Sequence, residues 1–155
     1  SLIEIMQERY RRLSGSGGRN IQAYNRQSSN PMPFLVLIVD ELAELMLGGG
    51  RDAESKLVRL SQMGRASGIH LILSTQRPTV DVVTGLLKAN IATRIAFAVP
   101  TQTDSRVILD SPGAENLLGK GDMLVLTSAS PLPRRVQGIF VEDLELTQVI
   151  NFWTA

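Results

Sequence analysis

Two rhythms of apolar positions run along the chain. Leu2, Met6, Tyr10 and Leu13 recur at helical spacing, with Glu4, Glu8, Arg9, Arg11 and Arg12 mostly on other faces, which predicts an amphipathic helix over 2–13. Ser14-Gly15-Ser16-Gly17-Gly18 stops it, and a polar connector leads to Pro31-Met32-Pro33, so residues 14–33 read as loop with one short turn. Phe34-Leu35-Val36-Leu37-Ile38-Val39 is an unbroken apolar run of strand length, the type buried on both faces of a parallel sheet, and it ends in Asp40-Glu41. A helical segment follows, Gly48-Gly49-Gly50 interrupts it, and a second helix is predicted over 52–65. Residues 69–74 and 94–99 repeat the buried-strand pattern, with short helices predicted over 81–89 and 103–109. Residues 123–127 and 134–141 read as two more strands joined by a Pro-containing turn. A last amphipathic helix over 142–153 aligns Leu146, Val149, Ile150 and Trp153. Strand alternating with helix predicts an α/β fold, a mostly parallel sheet flanked by helices.

Composition narrows the chemistry. The 155 residues, 43% hydrophobic and 20% charged, suit one globular domain, and no apolar run approaches the roughly 18 residues of a membrane span. The absence of cysteine excludes disulfides, thiolate–zinc sites and cysteine nucleophiles, and the single histidine, His70, excludes poly-histidine metal sites. Carboxylates, arginines, amides and hydroxyls must carry any reaction. The chain opens within the helical pattern with neither an initiating Met nor a signal-peptide pattern, and it is expected to be a piece of something longer.

Candidate chemistry sits where apolar runs end. An apolar strand closing on Asp40-Glu41 is the Walker B pattern: the first acid holds magnesium through water, and the second polarises a water for attack on a γ-phosphate. Two solvated acids at a strand end fit the same residues, and Asp40 is then the expected helix N-cap. Gln76, in Ser74-Thr75-Gln76-Arg77-Pro78, stands beside the acids if the two strands are neighbours, either as a phosphate sensor or as a turn residue. Arg65, at the flank of the apolar arc of Ala53, Leu57 and Leu60, is either a cation on the last helical carbonyls or an arginine finger reaching another subunit. The formal charge is only +1, so nucleic-acid binding requires local clustering. Residues 55–109 hold seven cations against two anions, and Arg77, Lys88 and Arg106 flank loops or short helices that can follow a phosphate backbone, unless they are merely scattered solvated cations. With only Phe97 as an aromatic there, duplex contact is favoured over base stacking.

These residues, in this order, resemble the motor domain of the FtsK/SpoIIIE family of DNA translocases over nearly the whole chain. The resemblance is carried by Glu8-Arg9-Tyr10, Tyr24-Asn25, the run from Leu37 to Leu45, Gly64-Arg65-Ala66-Ser67-Gly68, the run from Ser74 to Gly85, Lys88-Ala89-Asn90-Ile91, Asp104-Ser105-Arg106 and the run from Gly113 to Leu124. It implies a RecA-like P-loop NTPase fold spanning 1–155 from the Walker B strand onward. It further implies an ATP- and Mg2+-dependent motor, a hexameric homo-oligomer around double-stranded DNA that serves chromosome segregation at cell division. On the same grounds Asp40 binds the metal shell, Glu41 activates water, Gln76 senses phosphate and Arg65 acts in trans. The DNA-tracking positions are Arg77, Lys88, Gln102 and Arg106, although Gln102 stands where a lysine is common. The resemblance also implies a cytoplasmic motor without membrane contact of its own, in a protein usually anchored in the bacterial inner membrane at the division site. No Gly-x-x-x-x-Gly-Lys-Ser/Thr occurs in the chain, so the fold is expected to be truncated before Walker A, with weak ATP binding and no turnover in isolation. A non-catalytic oligomerisation and DNA-contact module, and a related conjugative ATPase, are the alternatives.

Overall fold

Ser1 opens the first helix with a capping box: its hydroxyl accepts from the Glu4 N–H while the Glu4 carboxylate reaches back to the terminal amine. The computed structural model describes residues 1–154. They form two units, residues 1–91 and a second beginning at Ala92.

The first unit holds α1 (Leu2–Gly15), α2 (Ile21–Gln27), β1 (Leu35–Val39), α3 (Leu42–Ser67), β2 (Ile69–Leu73) and α4 (Gly85–Asn90). β1 and β2 pair in parallel, with Leu35 opposite Ile69 and Val39 opposite Leu73. Met6 of α1 and Leu60 of α3 are buried with Ile69 against Leu35, Leu37 and Leu71. A second cluster joins Leu42, Ala43, Leu57 and Val58 of α3 to Val82 and Leu87, over Leu37 and Leu73. Helices thus cover one face of the parallel pair, and the strands alternate accordingly. On the other face Val36, Ile38 and Ile72 are more than half exposed, so the expected burial of both faces is not what the described residues form.

Residues 14–33 are more ordered than loop. Asn20 caps a seven-residue helix by accepting from the Ala23 N–H, a start that polar α2 does not advertise by periodicity. Asn25 then donates to the Met32 carbonyl and accepts from the Met32 N–H, both at 2.8 Å, which sets the chain's entry to β1. The Gly48-Gly49-Gly50 break is a kink in one long α3, with φ 51° and ψ −137° at Gly50. α4 begins four residues later than its apolar pattern predicts, because Thr84 caps it through the Leu87 N–H and also donates to Glu54 of α3 at 2.6 Å.

The second unit contains β3 (Arg94–Phe97), α5 (Gln102–Leu109), a 3-10 turn at Ala114–Asn116, β4 (Asp122–Thr127), β5 (Ser130–Gln137) and α6 (Asp143–Thr154). Here the sheet is antiparallel in the order β3-β4-β5, so parallel pairing is confined to β1 and β2. Its core is Ala96, Leu109 and Ala114, with Leu124 and Leu126 packed against them. β5 begins four residues earlier than the predicted 134–141. The Gly138 N–H donates to the Gly121 carbonyl at 2.7 Å and the ladder ends there, while Pro131 and Pro133 are tolerated because β5 is an edge strand. α6 buries none of its residues.

Candidate functional site

Both strands of the parallel pair point their carboxyl ends the same way, which brings Asp40-Glu41 and Ser74-Thr75-Gln76 together. Ladder bonds continue past the strands: the Ser74 N–H donates to the Val39 carbonyl at 2.9 Å and the Leu42 N–H to the Ser74 carbonyl at 2.7 Å. The Ser74 hydroxyl bonds the Asp40 carbonyl at 2.6 Å, so the two chain ends are tied before either side chain is considered.

Glu41, and not Asp40, caps α3. Its backbone is extended (φ −127°, ψ 100°) and Oε1 accepts from the Ala43 N–H at 2.9 Å. The Thr75 hydroxyl also donates to Oε1, and the Gln76 N–H donates to Oε2 at 2.9 Å. The Thr75 bond is the foremost cause holding the Glu41 carboxyl below the usual glutamate range, followed by the Gln76 and Ala43 N–H groups, with nearby Arg77 adding a smaller attraction. A carboxylate offers about four lone-pair positions. Three donors occupy Oε1 fully and Oε2 by half, which leaves one acceptor position on Oε2 for a water.

Asp40 is exposed at the same end, and no side-chain bond or ion pair joins it to the described residues. Gln76 is exposed and its backbone, not its amide, makes the contact with Glu41. Arg77 is exposed one residue on, its N–H donating to Thr75 Oγ1 at 3.0 Å. Lys88 is half-buried in α4. Arg65 lies at the opposite end of the pair: it is three residues before Gly68, the cap that leads into β2, and a five-residue strand of roughly 17 Å separates the two ends. There Arg65 lines a surface hollow with Asn20, Gln22, Gln62 and His70.

In the second unit Gln102 and Arg106 are exposed one turn apart on α5, which Thr101 and Asp104 close with a capping box. The Glu115 carboxylate accepts from the Gly113 N–H at 2.8 Å, which leads the causes that lower its pKa; Gln102 and Arg106 contribute less. Arg94, one of the seven cations of the basic region, turns inward to the Ile108 carbonyl and the Asp110 carboxylate. It is a structural cation.

Sequence reasoning does not find Thr75, the strongest influence on Glu41, although it stands next to Gln76. A lone threonine carries no pattern of its own; its place one residue past a strand end beside an Asp-Glu pair was the available signal.

The FtsK/SpoIIIE family model matches residues 25–80, the segment that contains all of these strand ends. DNA translocase FtsK of Sporosarcina ureae is 51% identical over 97% of this chain and 21% of its own length. DNA translocase SpoIIIE of Bacillus subtilis (strain 168) is likewise 51% identical, over 97% of this chain and 20% of its own. The chain thus spans about a fifth of the curated relatives it matches. Among solved structures, the pCW3 conjugation coupling protein TcpA, in its monomer form with ATPgS, superposes with a TM-score of 0.84 and 26% identity, covering 98% of this chain and 46% of that one.

Proposed function

This chain belongs to the FtsK/SpoIIIE family, and on that premise we propose that it is the Walker B-bearing part of an ATP-driven translocase of double-stranded DNA. The observation that carries the reading is the capped, three-donor Glu41 with one acceptor position left open, next to an exposed Asp40 and the Gln76 strand end. The open position on Oε2 suits the holding and orienting of a water.

Each residue has a role in this reading. Glu41 accepts the proton of the attacking water at Oε2. Gln76, whose N–H bonds Glu41, would turn its side-chain amide toward the γ-phosphate. Asp40, exposed at the strand end, suits magnesium, a hard cation that takes one or two carboxylates and keeps several waters. Magnesium, when bound with ATP, offsets charge on the phosphates. Arg65 lies at the end of the strand pair away from the acids, and in this reading it serves a neighbouring subunit's nucleotide. Arg77, Lys88, Gln102 and Arg106 follow the DNA backbone by charge and hydrogen bonding, without reading sequence. The phosphate-binding loop comes from other sequence in a longer protein, which we term the intact motor. A service in chromosome segregation, a hexameric ring and anchoring of that longer protein at the bacterial inner membrane belong to the same proposal. No helix among the described residues is long and apolar enough to cross a membrane.

A conjugative ATPase is the second reading, supported by the superposition on TcpA. Identity near 50% to DNA translocases against 26% to TcpA favours the first. The test is ATP hydrolysis by the intact motor with and without duplex DNA. Stimulation by duplex of any sequence supports the proposal, and hydrolysis indifferent to duplex counts against it.

A further inference from the structure

The Thr75 hydroxyl is a node with two neighbours. Its proton goes to Oε1 of Glu41, and its oxygen accepts from the Arg77 N–H at 3.0 Å. A hydroxyl has one proton and a free rotor, so a donor arriving on the oxygen fixes where that proton points. Arg77 thereby aims the Thr75 proton at the carboxylate. Gln76, between them, gives its own N–H to Oε2. Upstream, Ser74 is locked to the Asp40 and Val39 carbonyls, so this end of β2 is fixed as far as Ser74. Beyond it, Arg77 is exposed, Pro78 restricts the backbone of Arg77, and the Thr79 N–H closes a tight turn onto the Arg77 carbonyl at 2.8 Å.

From this geometry we propose that Thr75 is a positioning residue that couples the DNA-facing Arg77 segment to Glu41. The inference rests on the translocase reading, in which Arg77 meets a DNA phosphate and Glu41 takes a proton from water. A phosphate that draws Arg77 outward shifts the Arg77 N–H and the Gln76 peptide together. The Thr75 rotor then loses its fixed direction, Oε2 loses a donor, and the carboxylate gains acceptor capacity for water when DNA is engaged. The path from DNA contact to catalytic oxygen is two residues long and runs through one hydroxyl and one peptide N–H.

The experiment compares the intact motor with its Thr75→Val, Thr75→Ser and Glu41→Gln variants, reading the ratio of hydrolysis with duplex DNA to hydrolysis without it, together with duplex affinity. With valine the ratio is expected to fall about tenfold, the weight of one hydrogen bond to a charged group, while duplex affinity holds and serine restores the ratio. If thermal melting shows that the valine variant does not fold, Thr75→Ala takes its place. An unchanged ratio in the valine or alanine variant, with Glu41→Gln inactive, overturns the coupling and leaves the translocase reading standing. Full hydrolysis by Glu41→Gln overturns the translocase reading itself, and the coupling with it.

Discussion

Arg9 Nη1 lies 2.8 Å from the carbonyl oxygen of Ser67, fifty-eight residues away in sequence, and the arginine is 6% exposed. Nη2 of the same group donates to the Pro33 carbonyl at 2.7 Å. One side chain on α1 thus fastens both the end of α3 and the approach to β1. Arg9→Met keeps the aliphatic stem and orphans both carbonyls. The expected loss is roughly 1–3 kcal/mol for each, read as a lower urea midpoint in the near-ultraviolet signal of Tyr10 and Tyr24, which both lie in this unit.

Gly68 caps α3 at φ 75°, and a Cβ there would lie 2.4 Å from Ile21 Cδ1 and 3.3 Å from Phe34 Cδ1. Gly68→Ala combines left-handed backbone strain of about 1–3 kcal/mol with displacement of a fully buried isoleucine. Thermal unfolding of the first unit should move to lower temperature accordingly. An unchanged midpoint would mean that α3 does not end on this cap.

Asp122, 3% exposed, accepts two bonds from Arg135, at 2.9 and 2.6 Å, and one from the Leu118 N–H at 2.8 Å. The Arg135 hydrogen bonds are the main cause lowering its carboxyl from 3.8 to about 2. Because the folded value is depressed, the group's contribution to stability is complete above the unfolded pKa near 3.8 and is lost as pH falls towards about 2. Protection of the β4–β5 ladder against hydrogen exchange, relative to the intrinsic rate at each pH, should therefore fall between about pH 4 and pH 2, and Asp122→Asn should remove that component.

Salt dependence tests the DNA reading. Anisotropy of a labelled duplex titrated with this chain between about 50 and 200 mM salt should give a log–log slope that shrinks by about one for Arg77→Ala or Arg106→Ala, at unchanged sequence preference. Gln102→Lys should steepen it by about one. A slope that ignores all three substitutions would remove these residues from the interface.

The strands that position the site were legible because β1 and β2 are unbroken apolar runs ending in acids and amides, a pattern set by burial and chain direction. The partner of the third run was not. Residues 94–97 read like another parallel strand, but they pair antiparallel with β4, whose ladder to β5 is closed by backbone approaches such as Gly121 to Gly138 that leave no apolar trace. α2 was hidden because its apolar face is only Ile21 and Tyr24, packed on Leu13 and Met32, and the Asn20 cap and the Asn25 clasp, which carry no periodicity, set its ends. At the site, spacing showed two acids without saying which one faces its own helix. That is decided by Glu41 reaching the Ala43 N–H, one methylene longer than an aspartate would. Arg9 and Asn25, which carry the resemblance, are scaffold: their side chains bond backbone groups elsewhere in the chain.

The most direct measurement is single-turnover ATP hydrolysis by the intact motor carrying Glu41→Gln. Glutamine keeps the shape but cannot take a proton, so ATP should still bind while hydrolysis slows by about 10²- to 10⁴-fold, with or without duplex. Hydrolysis within twofold of the unaltered motor would contradict the assignment of Glu41 as the residue that activates water.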